Sequence, residues 1–158
     1  MIPDRVKAVL DAHGLAALEF EPDSTPTSPL AAAKIGCAVG QIAKSLLFVG
    51  KDGGLFMVVA PGDRRIAQAK LKAAVGAKFR MTRPEETLAA TGYPPGGVCP
   101  FDIPPKIRMF IDAGLRQYPT IYPAAGTTSS GVPMTFDQLV AITGATVGDF
   151  LADDTEGA

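Results

Sequence analysis

Histidine is almost missing from this sequence: His13 is the only one in 158 residues. Cysteine is nearly as scarce, and Cys37 and Cys99 stand far apart in no metal-ligand spacing. These scarcities exclude a disulfide framework and a zinc site. They also leave any cysteine or serine nucleophile without a neighbouring base. His13 closes the first predicted helix beside the cap Gly14, where a cation suits the negative end of the helix. No apolar run is long enough to span a bilayer, and Met1-Ile2-Pro3-Asp4-Arg5 lacks the parts of a signal peptide. A cytoplasmic protein with no membrane partner is therefore expected. With a net charge of −1, no global basic field attracts nucleic acid, so any RNA contact must come from a local patch. Neither GxxxxGK(S/T) nor a strand–GxGxxG–helix unit is present. No cofactor, no metal and no DNA partner are expected.

What is present suits one domain, residues 1–158, with a real core: 47% of the residues are apolar. Val6, Val9 and Leu10 recur at helical spacing from Pro3 to His13. Ala16 to Glu21 alternates as a strand does, and Glu21 to Pro29 reads as a loop. Leu30 to Val39 forms a short helix. Gln41 to Val49 and Leu55 to Ala60 are buried strands joined by the turn Lys51-Asp52-Gly53-Gly54. Asp63 caps a helix running to Val75, and Lys78 to Met81 is a strand. Thr82-Arg83-Pro84-Glu85 fits a capping box for a helix to Ala90. Lys106 to Ile111, Thr120 to Tyr122 and Val132 to Met134 read as strands. Thr135-Phe136-Asp137-Gln138 is a second capping box, Ala145 to Phe150 a last strand, and Asp153 to Ala158 a frayed acidic end. Strands stand beside hairpin turns as often as beside helices. The expected fold is therefore mixed α+β, with a twisted, mostly antiparallel sheet flanked by helices.

Two features do not fit plain scaffolding. Thr91-Gly92-Tyr93-Pro94-Pro95-Gly96-Gly97-Val98-Cys99-Pro100-Phe101 cannot be a helix interior or a central strand. It is either a connecting turn or a rigid loop whose backbone amides hold a ligand. Lys44, in Ile42-Ala43-Lys44-Ser45-Leu46-Leu47-Phe48, emerges from apolar surroundings whichever face it shares. It either snorkels to solvent or grips a phosphate or carbonyl oxygen. Arg64, Arg65, Lys70 and Lys72 form a local basic patch, which reads as a solvated helix face unless something else points to RNA. Asp112, ending a strand, is a turn-former or a polar group at a pocket rim. No acid–base pair accompanies these features, so such a site works by positioning and backbone hydrogen bonds.

The chain resembles the YbaK/prolyl-tRNA synthetase-associated editing domains from about Thr25 to Asp149. The markers are Gly40-Gln41-Ile42-Ala43-Lys44-Ser45-Leu46, Pro61-Gly62-Asp63-Arg64-Arg65, Thr91-Gly92-Tyr93, Gly96-Gly97-Val98-Cys99-Pro100-Phe101, Ile111-Asp112 and Thr143-Gly144-Ala145. The resemblance implies hydrolysis of the ester joining a wrong amino acid to the 3′-terminal adenosine of tRNA. It implies a catalytic set of Lys44, holding the terminal nucleotide, with Gly96, Gly97 and Pro100 in a loop orienting the aminoacyl carbonyl. The adenosine's free hydroxyl helps activate water or the leaving group. Thr27, Ser45, Val98, Cys99, Asp112, Ala124, Ala125 and Gly126 are the candidate substrate-binding residues. Several members carry histidine or serine-glycine-glycine where this chain has Pro123-Ala124-Ala125-Gly126, so no side-chain base carries over there. The implied substrate is mischarged tRNA, tRNA-Pro carrying Ala, Cys, Ser or Thr, with prolyl-tRNA synthetase as a further partner. The alternatives are a non-catalytic tRNA- or synthetase-binding module of the same fold, and a hydrolase using Cys99.

Overall fold

The structure is a computed structural model and describes residues 1–153. Of the expected frayed end, residues 154–158 lie outside the described residues. The chain opens with α1 (Asp4–Ala12), whose Val6 and Leu10 are one turn apart and fully buried. β1 (Leu18–Glu19) is shorter than the alternation predicts. α2 (Ser28–Ile35) is capped by the Thr27 hydroxyl, which accepts from the Leu30 amide at 3.4 Å, and it ends at left-handed Gly36. A 3-10 turn (Val39–Gln41) leads into β2 (Ala43–Gly50) and β3 (Leu55–Pro61). Then come α3 (Gln68–Val75), β4 (Phe79–Met81) and α4 (Pro84–Thr91). After the glycine loop come β5 (Arg108–Asp112), a 3-10 segment (Ala113–Gln117), β6 (Ser130–Gly131), α5 (Phe136–Thr143) and β7 (Thr146–Gly148).

Five strands form one sheet in the order β4-β2-β3-β5-β7. β2 pairs antiparallel with both β3 and β4, while β3–β5 and β5–β7 are parallel. β1 and β6 form a separate antiparallel pair. Antiparallel pairing predominates, and the parallel half arises because long connections carry the chain from β3 to β5 and, through α5, from β5 to β7. β3 is central, and Phe56 through Ala60 are at most 3% exposed, as a strand covered on both faces requires. One face packs Val59 and Ile111 under α1 and α5 with Tyr93, Cys99 and Phe101 of the glycine loop. The other packs Phe48, Phe56, Val58 and Phe110 against Leu71 of α3 and against Phe150 and Leu151. Among the described residues no helix is long and apolar enough to cross a membrane.

Four local expectations need correction. Asp63 does not cap α3: the helix begins at Gln68, with Ala67 as its N-cap. Residues before it run extended against the C-terminal segment, with Ile66 bridged to Leu151 and the Ala67 amide donating to Phe150 O at 2.8 Å. The capping box of α4 sits one residue later, the Arg83 amide donating to Glu86 Oε1 at 2.8 Å. The Thr82 hydroxyl instead donates to Leu47 O and meets the Thr87 hydroxyl. Thr120 to Tyr122 contributes only isolated bridges, Ile42 to Tyr122 and Ile121 to Met134. The strand expected at Val132 to Met134 falls instead at Ser130–Gly131. The Thr135 box forms as expected, with Gln138 N to Thr135 Oγ1 at 3.1 Å and Thr135 N to Gln138 Oε1 at 2.9 Å.

Candidate functional site

The site grows from a gap in the edge of β2. β4 covers only Phe48 to Gly50, and at the other end the Ala43 amide donates to Tyr122 O at 3.2 Å. The Gly50 amide bonds back to Gly54 O at 2.8 Å. Antiparallel alternation then turns the amide and carbonyl of Lys44, Leu46 and Phe48 toward β3, and those of Ser45 away from it. A cavity of about 250 Å³ opens beside this uncovered stretch. Its walls are β2 around Lys44 and Ser45, the Thr25–Ser28 loop with α2, the glycine loop at Gly96 and Val98, and Tyr122, Ala124 and Ser130.

Lys44 is half-buried, and its ammonium donates to Arg64 O at 2.6 Å. Burial pushes its pKa down, and the nearby Asp63 charge opposes that shift. The segment that carries this carbonyl is itself held. The Arg64 guanidinium donates to Ala152 O at 2.6 Å, and the Ala152 amide donates to Arg65 O at 2.8 Å. Ser45 Oγ is buried and has no hydrogen-bond partner among the described residues. A buried hydroxyl without a partner is costly, and Ser45 is one of the residues that line the cavity.

The glycine loop turns tightly at Pro94–Gly97, where the Gly97 amide donates to Pro94 O at 2.9 Å. Pro95 followed by Gly96 at φ +79° fits the turn type that needs a positive φ at its third residue. The Gly97 amide is therefore used within the loop. The amides of Gly96 and Val98, at the cavity wall, make no hydrogen bond among the described residues. Gly96 packs on Pro26, whose carbonyl oxygen would lie 2.9 Å from an added Cβ. Gly97 packs on the Thr127 backbone. The two loops that flank the glycine loop are tied together: Thr25 N donates to Thr128 O at 2.8 Å and Ser130 N to Thr25 Oγ1 at 3.1 Å.

Of the residues singled out in the sequence, Lys44, Ser45, Thr27, Gly96, Val98 and Ala124 line this one cavity. The others do not. Gly97 is buried just behind the wall. Pro100 borders a separate cavity beside Val9 and His13. Cys99 is fully buried in the core, and burial pushes its thiol up to about 11, which opposes a thiolate nucleophile. Ala125 is fully buried, its amide donating to Ser130 Oγ at 3.1 Å, and Gly126 packs on the Tyr93 ring. Asp112 is buried elsewhere, accepting from Gly114 N at 2.7 Å and from Phe150 N at 2.8 Å. Burial raises its pKa against those two bonds. Thr25, Tyr122 and Ser130 are cavity residues that sequence reasoning missed. For Thr25 the only available signal was its place two residues before the cap Thr27.

Residues 23–142 match the family described as "Aminoacyl-tRNA editing domain". The chain is 38% identical over 121 residues to the uncharacterized protein YwhH of Bacillus subtilis, covering 77% of this chain and 76% of that protein. It is 27% identical over 113 residues to the candidate Cys-tRNA(Pro)/Cys-tRNA(Cys) deacylase EbsC of Enterococcus faecalis, covering 71% and 69%. Among solved structures, a candidate trans-editing enzyme for prolyl tRNA synthetase superimposes with a TM-score of 0.86. That structure shares 35% identity with the chain, and the match covers 95% of this chain and 96% of the other.

Proposed function

The chain belongs to the aminoacyl-tRNA editing domain family, and we propose that it hydrolyses the ester of mischarged tRNA in trans. The observation that carries this reading is convergence. Lys44, Ser45 and the two residues whose amides are unused, Gly96 and Val98, all line one small cavity. Lys44 holds the anionic 3′ end of the tRNA as a fixed cation. The amides of Gly96 and Val98 take the aminoacyl carbonyl oxygen and stabilise the charge it gains as water adds. Pro100 and the turn amide of Gly97 keep that loop in shape.

The cavity wall carries no carboxylate and no histidine among the described residues. This fits the family's implied mechanism, in which the free ribose hydroxyl of the terminal adenosine relays the proton from the attacking water to the leaving ribose oxygen. The ester C–O bond breaks, and free amino acid and uncharged tRNA leave. At about 250 Å³ the cavity lies below the roughly 300–1,000 Å³ of sites for drug-sized ligands. It suits a small aminoacyl group such as Ala, Cys, Ser or Thr. Similarity to a candidate trans-editing enzyme for prolyl tRNA synthetase and to a candidate Cys-tRNA(Pro)/Cys-tRNA(Cys) deacylase supports tRNA-Pro as a carrier, with the synthetase as a partner in the same cycle.

The test is a panel of mischarged tRNAs incubated with the folded protein. Release of a small amino acid from tRNA-Pro is expected. Binding of tRNA with no release from any member of the panel would replace this reading with that of a binding module.

A further inference from the structure

The glycine loop that borders the cavity is gripped from behind by a residue far away in sequence. Arg5, on α1, donates from Nη2 to Thr91 O, where the loop begins. From Nη1 it donates to Asp102 O at 2.9 Å and to Asp102 Oδ2 at 3.0 Å, where the loop finishes. One planar guanidinium thus joins both ends of the segment that contains Gly96, Gly97 and Val98. It lies 4.2 Å from the centroid of the Tyr93 ring, a cation–π distance. Tyr93 is fully buried, and its hydroxyl donates to Phe101 O, tightening the same closure. Asp102 has φ +52°, a backbone shape that few non-glycine residues hold without outside support. Arg5 bonds both its carbonyl and its carboxylate. Gly92, next to the clamp, has no room for a side chain: an added Cβ would stand 2.7 Å from Arg5 Nη2.

We propose that Arg5 is a positioning residue for the editing site: by clamping Thr91 to Asp102 it fixes where the loop amides stand at the cavity. Arg5 is not one of the residues that line the cavity, and it lies outside the matched segment 23–142. It is only partly exposed, 36% for its side chain. Lysine cannot replace it, because a single ammonium lacks the planar fork that spans two carbonyls and a carboxylate. The inference rests on the reading of the loop as the carbonyl-binding element.

The experiment compares the wild type with Arg5→Met, Arg5→Ala, Arg5→Lys and Asp102→Asn. Single-turnover and steady-state deacylation of a mischarged tRNA that the wild type cleaves are measured alongside amide hydrogen exchange. In Arg5→Met the stem still covers Tyr93 but the donors are gone. Its kcat falls on the order of 10–100-fold with KM nearly unchanged, because the loop is misplaced while the Lys44 anchor remains. Guanidinium ion, well below denaturing concentration, restores part of kcat in Arg5→Ala and nothing in the wild type. Arg5→Lys resembles Arg5→Met, and Asp102→Asn, which keeps its acceptors, retains most of the activity.

Exchange of the amides between residues 92 and 101 speeds up in Arg5→Met while that of β3 stays slow. An unchanged kcat in Arg5→Met, or a loss confined to thermal stability with no guanidinium rescue, overturns the proposal. If the wild type cleaves no mischarged tRNA, the deacylase reading fails instead. The exchange data then decide the clamp alone: equal loop protection in wild type and Arg5→Met overturns it, and faster loop exchange supports it. Should Arg5→Met fail to fold, Arg5→Lys carries both readouts.

Discussion

Gly97 and Thr127 touch through their backbones: a Cβ added at Gly97 would lie 2.8 Å from the Thr127 carbonyl carbon and 3.0 Å from its Cα. Main chain on both sides cannot swing aside as a long side chain can. Gly97→Ala is therefore expected to cost about 1–3 kcal/mol in urea unfolding and to abolish deacylation by pushing the loop off its neighbour. Gly53→Ala is the control. It sits at φ +88° in open space, so it strains the hairpin by about 1–2 kcal/mol but leaves turnover intact. Equal activity of the two variants would count against the loop's assigned role.

On the proposed reading Lys44 acts as a cation, so Lys44→Ala is expected to remove deacylation while leaving the fold intact. Burial holds its pKa below the ordinary lysine value, and the form that grips an anion is the protonated one. It is lost as pH rises, and the loss begins below where a free lysine would titrate. Affinity for adenosine monophosphate, followed by calorimetry, should show this alkaline fall. Lys44→Arg should move the fall to higher pH.

Ser45→Ala tests the unpartnered hydroxyl. Deleting a buried polar group that bonds nothing should leave stability unchanged or raise it by up to about 1 kcal/mol. Deacylation should fall or change its preference among amino acids, because Ser45 is part of the cavity wall. A loss of stability above about 1 kcal/mol would mean that the hydroxyl already has a partner in the fold.

Asp112 holds two amides, those of Gly114 and Phe150. Asp112→Ala leaves both donors buried and unpaired, an expected cost of about 2–4 kcal/mol by chemical denaturation. Asp112→Asn keeps one acceptor and should lose about half of that.

Glu86 gives a pH signature. The Arg80 guanidinium, assisted by the Arg83 amide and charge, holds its carboxyl down at about 2. The unfolded value is higher, about 4.3, so the folded state favours the ionised form. Its contribution to stability is complete above the unfolded value and drains away as pH falls toward about 2. The stability gap between wild type and Glu86→Gln should therefore narrow over that interval, read from unfolding at a series of acidic pH values.

Much of this architecture was legible where the cause is local. The run Leu55 to Ala60 reads as a buried strand because it is one, and Thr135 with Gln138 spell a cap that forms. The hairpin residues foretell the β2–β3 pairing. Nothing local foretells that β3 and β5 run parallel, since the chain between them makes two helices, the strand β4 and a loop before returning. Asp63 has the chemistry of a cap, yet long-range pairing of Ile66 with Leu151 keeps that segment extended. Lys44 and the glycine loop stood out as residues at odds with their setting. Tyr122, Ser130 and Arg5 carry no such conflict in sequence. Their importance comes from contacts made across the fold, 97 residues apart for Arg5 and Asp102 and 105 for Ser130 and Thr25.

The segment that seats the Lys44 ammonium takes its own support from Phe150, Leu151 and Ala152. During synthesis the helices and strands before residue 100 leave the ribosome first and can begin to pack. The carbonyl of Arg64 meets its distant support only after residue 152 has emerged. Lys44 is thus seated only once that later segment has been made, and a nascent chain that stalls before it carries the loop and the lysine without the geometry that joins them.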